Sequence, residues 1–86
     1  MEVNFTETAE KDIDFWKQSG NTVIQQRIST LLKDIKEHPF FGIGKPEPLR
    51  YNLSGFWSRR ITKEHRLIYK VEGNLVIVIS CRFHYQ

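Results

Sequence analysis

Residues 56–85, FWSRRITKEHRLIYKVEGNLVIVISCRFHY, carry the pattern from which the fold class follows. After Gly55 the spacing of the apolar residues falls close to two, which is typical of β-strands. Short turn-forming segments divide the stretch, and we therefore predict strands over 56–62, 66–71 and 75–85. Consecutive strands joined by short turns pair as an antiparallel meander.

The residues before this stretch predict two helices. Thr6 and Asn21 are candidate N-caps, because their side-chain oxygens can accept hydrogen bonds from main-chain N–H groups in the first helical turn. Gly20 and Pro39 are candidate stop signals for the same two helices. The second helix carries an apolar stripe at helical spacing, formed by Ile24, Ile28, Leu31, Leu32 and Ile35.

These elements predict a single α+β domain over residues 1–86, with two N-terminal helices packed on a small, mainly antiparallel twisted sheet. Residues 3–5 would supply a short first strand, and the glycines and prolines of 40–55 predict an irregular loop. Apolar residues make up 40% of the chain and charged residues 27%, a balance that indicates a globular domain rather than a disordered chain.

The single cysteine and the lack of long apolar segments exclude several classes of protein. The lone cysteine, Cys81, excludes an internal disulfide framework and a cysteine-based zinc site. No apolar run approaches the length of a membrane span, and the first residues lack the basic and apolar segments of a secretion signal. We therefore expect a cytoplasmic protein with no membrane partner, no cofactor and no metal site.

The whole chain has a net charge of +3, and its positive charge is concentrated in the second half. Residues 1–38 hold five Lys and Arg against seven Asp and Glu, whereas residues 39–86 hold eight against three. A basic half suits a polyanionic partner, although a solvated charged surface would have the same composition.

Alternation along the strands predicts which residues face the helices. In the last strand the expected inward row is Leu75, Ile77, Ile79, Cys81 and Phe83. In the two strands before it the expected inward residues are Trp57, Ile61, Leu67, Tyr69 and Val71. If both rows face the helices, Val71 must lie opposite Leu75, and residues 72–74 form a three-residue turn. A register shifted by one residue would move every side chain of one strand to the other face.

The same register predicts a basic outer face. It collects Arg60, Arg66, Arg82 and His84, with Ser58 and Ser80 beside them. A two-residue turn before the last strand would instead put Arg66 on the opposite side of the sheet from Arg82 and His84.

Arginine, histidine and glutamate at one site would supply the groups needed to cleave RNA. Arginine provides a permanent positive charge with forked donors for phosphate oxygens, and histidine exchanges a proton near neutral pH. Glu47, held extended between Pro46 and Pro48, is a candidate base. Such a set would let a 2′-hydroxyl attack the adjacent phosphate without a metal ion. The alternative is that these are solvated surface charges and that Glu47 is a turn residue.

The segment KPEPLRYNLSGFWSRRITKEHRLIYKV, residues 45–71, together with CRFHY, residues 81–85, closely resembles the YoeB/Txe branch of the RelE/ParE superfamily of toxins. The resemblance covers nearly the whole chain, and it implies a RelE-like fold, similar to that of microbial ribonucleases, and homodimerisation. It also implies a type II toxin–antitoxin system, in which the toxin is a ribosome-dependent endoribonuclease that cleaves mRNA in the A site and inhibits translation. The implied partner is a YefM/Axe-like antitoxin.

The resemblance also implies roles for individual residues. Glu47 falls on the family's general base, His84 on its general acid and Arg66 on its phosphate-stabilising arginine. Tyr85 would orient the nucleotide by stacking or hydrogen bonding. The residues expected to contact mRNA or ribosomal RNA are Lys45, Arg59, Arg60 and Arg82.

Two positions depart from the family pattern. Gln86 follows Tyr85 at the point where relatives tend to stop, and Arg50 and Tyr51 replace a Lys-His pair. The alternative function is a non-catalytic RNA-binding or antitoxin-binding module with the same fold, in which Glu47 and His84 would serve only the shape of the domain.

Overall fold

The computed structural model describes residues 1–83, which form two α-helices and a five-stranded mixed sheet. The elements in chain order are β1 (Glu2–Phe5), α1 (Glu7–Ser19), α2 (Thr22–Glu37), β2 (Glu47–Pro48), a 3₁₀ turn (Tyr51–Leu53), β3 (Phe56–Arg60), β4 (Arg66–Glu72) and β5 (Leu75–Ser80). The strand order is β1-β5-β4-β3-β2, with β1 parallel to β5 and the other pairs antiparallel. The predicted α+β architecture is confirmed. Neither helix in this range is long and apolar enough to cross a membrane.

Both helices begin at the predicted N-caps. The Ala9 N–H donates to Thr6 Oγ1 at 3.1 Å, and the Ile24 N–H donates to Asn21 Oδ1 at 3.0 Å. Gly20 ends α1 in the left-handed conformation, with a φ of 72°, which a residue without a β-carbon adopts at low cost.

The helices cover one face of the sheet, and the hydrophobic core lies between the two layers. Its buried residues are Ala9, Trp16, Ile24, Ile28, Leu31, Ile35, Ile61, Leu67, Tyr69, Val76, Val78 and Cys81. Most of the predicted stripe of α2 is in this set, with Leu32 packed at its margin. Full burial of one such aliphatic side chain contributes about 1.5–3 kcal/mol to folding.

The face predicted for β5 is wrong. Residues 73–74 form a two-residue turn, because Glu72 pairs with Leu75. The row of β5 that faces the helices is therefore Val76 and Val78, which are fully buried in the core.

A β-bulge then shifts the pairing of β5 with β4 by one residue, which reverses the alternation at the end of β5. Ile68 pairs with Ser80 and Tyr69 pairs with Val78, so that Ile79 is the extra residue between them. Past the bulge Ser80 points outward with Ile68, as the sequence predicts, despite the shorter turn.

β3 alternates as predicted. Trp57 packs against the core and Ile61 lies within it, whereas Ser58 and Arg60 pair with the outward-facing Ile68 and Arg66 of β4. β2 is a missed element, because it lies inside the segment predicted to be an irregular loop.

Candidate functional site

Glu47 and Arg66 lie on the same outer face of the sheet. A row of directly paired residues crosses β2, β3, β4 and β5, formed by Glu47, Ser58, Ile68 and Ser80. Directly opposed residues point to the same face, and Arg66 lies two residues from Ile68 on β4, so that it points outward as well. The α-carbons of Glu47 and Arg66 are separated by two strand spacings, about 10 Å, and by two residues along the strand, about 7 Å.

Arg60 and Arg66 are directly opposed on β3 and β4. Their α-carbons are therefore about 5 Å apart, and two like charges at this distance repel each other. Within residues 1–83, the Arg60 Nε is buried and has no hydrogen-bond partner. A phosphate bound by the two side chains would offset the repulsion between them.

The main chain of Arg60 is held from two sides. Its N–H donates to the Gly44 carbonyl at 2.7 Å, and its carbonyl accepts from Arg27 Nη2 at 3.2 Å. Gly44 has a φ of 79°, and a β-carbon there would lie 2.7 Å from Leu31 Cδ2, so that only glycine lets the loop approach this closely. Lys45 follows immediately and is exposed. Arg27 is a contributor that no sequence motif indicated.

Glu47 is exposed at the edge of this arginine face. Pro46 and Pro48 restrict the backbone on either side of it, and the Leu49 N–H donates to the Phe56 carbonyl at 2.8 Å. The carboxylate is thus carried by a short, well-fixed strand and reaches solvent, where it can accept a proton from a bound molecule.

Arg59 lies on the opposite face, and its side chain has no exposed surface. Its guanidinium donates to the Asp34 carboxylate, the Tyr69 hydroxyl and the main-chain carbonyls of His38, Phe41 and Ile43. The predicted contact between Arg59 and RNA does not fit this position. The side chain instead fixes the loop that leads from α2 to Glu47.

Burial and the contacts with Arg59 act on the pKa values of two neighbouring groups, Asp34 and Tyr69. Burial raises the pKa of the Asp34 carboxyl, but hydrogen bonds from Arg59 and from the Ile43 N–H, together with the positive charge of Arg59, outweigh it. The net result is a pKa below the usual 3.8. Burial also raises the pKa of the Tyr69 hydroxyl above 10.0, so that this group stays protonated and donates to the Pro39 carbonyl at 2.6 Å.

Cys81 has no nucleophilic character in this fold. Burial, and to a smaller extent the charge of Asp12, raise the pKa of its thiol to about 12. Because the thiolate is the reactive form, the thiol at neutral pH is an apolar core group.

Among the predicted residues of the chain end, the structure places Arg82. The prediction that Arg82 lies on the outer face with Arg60 and Arg66 is wrong, because β5 ends at Ser80 and the Arg82 side chain stacks on α1. Its guanidinium carbon lies 3.4 Å from the centre of the Phe15 ring and 4.4 Å from that of the Phe83 ring. Phe83, predicted to face inward, is instead largely exposed. His84 and Tyr85 lie outside the described residues, as does Gln86. Of the other departures from the family pattern, Tyr51 is almost fully exposed at the start of the 3₁₀ turn.

Comparisons with known proteins agree with this architecture. The chain is 51% identical over 86 residues to the toxin YoeB of Synechocystis, covering 100% of this chain and 99% of that protein. A solved YoeB/ParE toxin from Agrobacterium tumefaciens superposes with a TM-score of 0.95 at 42% identity, covering 99% of this chain and 100% of the other. The YoeB of Staphylococcus aureus, solved as a dimer and in complex with YefM, superposes with TM-scores of 0.90 and 0.89 at 40% and 41% identity, covering 99% of this chain and 98% of the other.

The two helices on a mixed sheet thus define a RelE-like α+β toxin fold. The family described as the YoeB-like toxin of bacterial type II toxin–antitoxin systems matches residues 5–85. The chain belongs to this family of toxins.

Proposed function

We propose that this toxin is a ribosome-dependent endoribonuclease that cleaves mRNA in the ribosomal A site and thereby inhibits translation. The observation that carries the proposal is the exposed carboxylate of Glu47 on the same face as the opposed pair Arg60 and Arg66. A base beside a phosphate-binding pair of cations is the arrangement that RNA transesterification requires.

In the proposed reaction Glu47 accepts the proton of the 2′-hydroxyl. The 2′-oxygen forms a bond to the adjacent phosphorus, and the bond from phosphorus to the 5′-oxygen breaks. Arg66, with Arg60 opposite it, stabilises the negative charge that builds up on the phosphorane oxygens. The products are a 2′,3′-cyclic phosphate and a 5′-hydroxyl. Because side chains supply the base and the cations, no metal ion takes part.

The chain end completes the proposed site. The family pattern assigns protonation of the 5′-oxygen to His84 and orientation of the nucleotide to Tyr85, both outside the described residues. Lys45, exposed on the loop before Glu47, and Arg82, beyond the end of β5, would also contact mRNA or ribosomal RNA.

The proposed protein partners follow the relatives. The YoeB of Staphylococcus aureus has been solved as a dimer and in complex with YefM. We infer that this toxin also forms a homodimer and that a YefM-like antitoxin neutralises it by covering the arginine face or displacing the chain end. Because ribosomes are the target, the site of action is the cytoplasm.

A message with one 2′-deoxy sugar at the scissile position tests the mechanism. On programmed ribosomes the parent protein should cut the all-ribose message to leave the ends described above, and it should leave the deoxy message intact. Glu47→Gln should cut the all-ribose message at least about 10²-fold more slowly, the lower end of the range for a positioned general base. Glu10→Gln, which neutralises an exposed carboxylate on α1, is the matched control and should cut at the parent rate.

The outcomes separate the candidate functions. Cleavage of the deoxy message would exclude attack by the 2′-hydroxyl. A parent protein that binds ribosomes but leaves every message intact would instead support the non-catalytic RNA-binding or antitoxin-binding module.

A further inference from the structure

The chain leaves the sheet after Ser80 and is then held by side chains of α1. The Cys81 N–H donates to Asp12 Oδ2 at 2.9 Å, and the Cys81 carbonyl accepts from Trp16 Nε1 at 2.9 Å. Two helix side chains thus satisfy both main-chain groups of a residue that lies beyond the last strand. The chain end is therefore fixed to α1 at this point.

His65 holds the next point of attachment. The Phe83 N–H donates to His65 Nδ1 at 2.8 Å, and the Phe83 carbonyl accepts from the Arg66 N–H at 3.1 Å. The imidazole packs edge-on against the Trp16 ring, with 4.8 Å between the ring centres. Because Nδ1 accepts, the ring must be neutral and carry its proton on Nε2.

Phe83 is held in an unfavourable backbone conformation. Its φ is 66°, in the left-handed region that bulky residues rarely adopt. Such a conformation persists where the surrounding contacts over-determine it, and here those contacts are the hydrogen bonds from Phe83 to His65 and Arg66. These two hydrogen bonds therefore hold the backbone of Phe83, the last residue that the structure describes.

We propose that His65 is a positioning residue for the cleavage reaction: by accepting the Phe83 N–H, it fixes the direction of the chain at the residue before His84 and Tyr85. The inference rests on the proposed endoribonuclease function, and it assigns His65 no contact with RNA. The His65 side chain contacts Trp16 of α1 and the main chain of Phe83, and thus links the turn before β4 to α1 and to the chain end. Arg66 takes part twice, with its N–H in this arrangement and with its side chain on the arginine face.

A matched pair of variants tests the role of Nδ1. His65→Leu keeps an apolar side chain against Trp16 but removes the acceptor. His65→Asn restores an acceptor, because asparagine Oδ1 stands where Nδ1 stands in histidine. His65→Gln moves the acceptor one bond further out and is a second test with the same polarity as the asparagine variant.

Two measurements follow each variant. Amide hydrogen exchange by NMR reports on the Phe83 N–H, and single-turnover cleavage on programmed ribosomes reports on the reaction. In His65→Leu we expect exchange at Phe83 to speed up on the order of 10-fold, which corresponds to the loss of one hydrogen bond. We expect cleavage to slow by about 10²-fold with unchanged affinity for the ribosome, as for a misplaced catalytic group. His65→Asn should recover most of both losses, and His65→Gln should recover less.

The outcomes distinguish this inference from the proposed function. If the parent does not cleave, the proposed function fails, whatever the exchange rates are. If the parent cleaves and the asparagine variant is as slow as the leucine or glutamine variant, His65 serves only packing and the inference is overturned. Normal cleavage by a variant whose Phe83 amide exchanges freely would overturn it as well. The comparison of asparagine with glutamine decides the question even where the leucine variant fails to fold.

Discussion

Arg59 and Arg60 are neighbours on β3 with the same side chain, and they lie in opposite environments. Arg59 faces the helices, has no exposed surface and makes an ion pair with Asp34 besides its bonds to three main-chain carbonyls. Arg60 faces outward against Arg66, and in the part of the chain that the structure describes its Nε has no acceptor. The inward arginine is paired and hydrogen-bonded within the chain, whereas the outward one stands opposite a like charge that a bound anion would offset.

Strand alternation, rather than residue type, therefore separates a structural arginine from one that is available to a ligand. A buried charge is tolerated only when it is paired and hydrogen-bonded, which Arg59 achieves through the loop after α2. An outward charge beside a like charge weakens the fold unless a ligand of opposite sign arrives. The two residues should therefore respond in opposite ways to the same substitution.

The largest effect on stability is expected for Arg59→Met, which keeps the length of the side chain but removes its charge. The variant removes the cation that pairs with Asp34 and the donor to the loop carbonyls, and the free energy of unfolding should fall by about 3–5 kcal/mol. Since small domains are stable by only about 5–15 kcal/mol, this is a large fraction of the total. Urea unfolding followed by circular dichroism measures it. A loss no larger than that of Arg60→Met would remove the distinction between the two faces.

The next effect concerns the reaction. Arg66→Ala should slow single-turnover cleavage by about 10²–10³-fold, the cost of removing one donor that acts in the transition state, and should change ribosome affinity little. Arg66→Lys should recover only part of the rate, because a point charge lacks the forked donors of arginine. Cleavage at the parent rate by a folded Arg66→Ala protein would contradict the role assigned to the outer face.

Much of the fold follows from the sequence because local signals agree with the tertiary arrangement. Thr6 and Asn21 cap the helices as predicted. The inward residues predicted for β3 and β4 are also the ones that pack in or against the core. Alternation does not identify the inward face of β5, since residues 75–79 are all apolar and either row would suit the core. This apolar run does not indicate the two-residue turn before it or the bulge at Ile79, and the prediction of its inward face is wrong for this reason.

The candidate site was predictable to a smaller extent. Glu47 stands out through its two flanking prolines, and Arg66 through its position in an alternating strand. The family motif predicts an RNA contact for Arg59, because it does not show that Asp34, 25 residues earlier, lies beside it. His65 gave no signal either, since its partner is a main-chain N–H at the far end of the chain. The sequence alone does not show which distant segments of the chain are in contact.

A smaller effect, with a defined pH dependence, is expected for Asp34→Asn. At neutral pH the variant should be less stable than the parent by about 1.5–3 kcal/mol, the range for a hydrogen bond to a charged group. Because the pKa of Asp34 is lower in the folded protein than its usual 3.8, its contribution is present above that value and is lost as the pH falls through the folded pKa. The difference between variant and parent should therefore shrink below pH 3.8. Unfolding curves across this range measure it.

A double variant controls the Asp34 prediction. In the Arg59→Met background the partner of the carboxylate is already gone, so that adding Asp34→Asn should cost little more. Equal losses in the two backgrounds would show that Asp34 acts independently of Arg59.

The smallest effect on stability, and the one of opposite sign, is expected for Arg60→Met. The substitution removes a charge that opposes Arg66 and a buried donor that has no acceptor within residues 1–83. The free energy of unfolding should therefore stay constant or rise by about 0.2–1 kcal/mol, the usual range for a cross-strand pair. Added inorganic phosphate should stabilise the parent through binding to the folded state, and it should stabilise Arg60→Met less. Cleavage should nevertheless slow, because the phosphate has lost one of its two cations. A variant that gains stability while losing activity would identify Arg60 as a residue kept for its ligand, whereas a loss of stability comparable to that of Arg59→Met would mean that both arginines serve the fold.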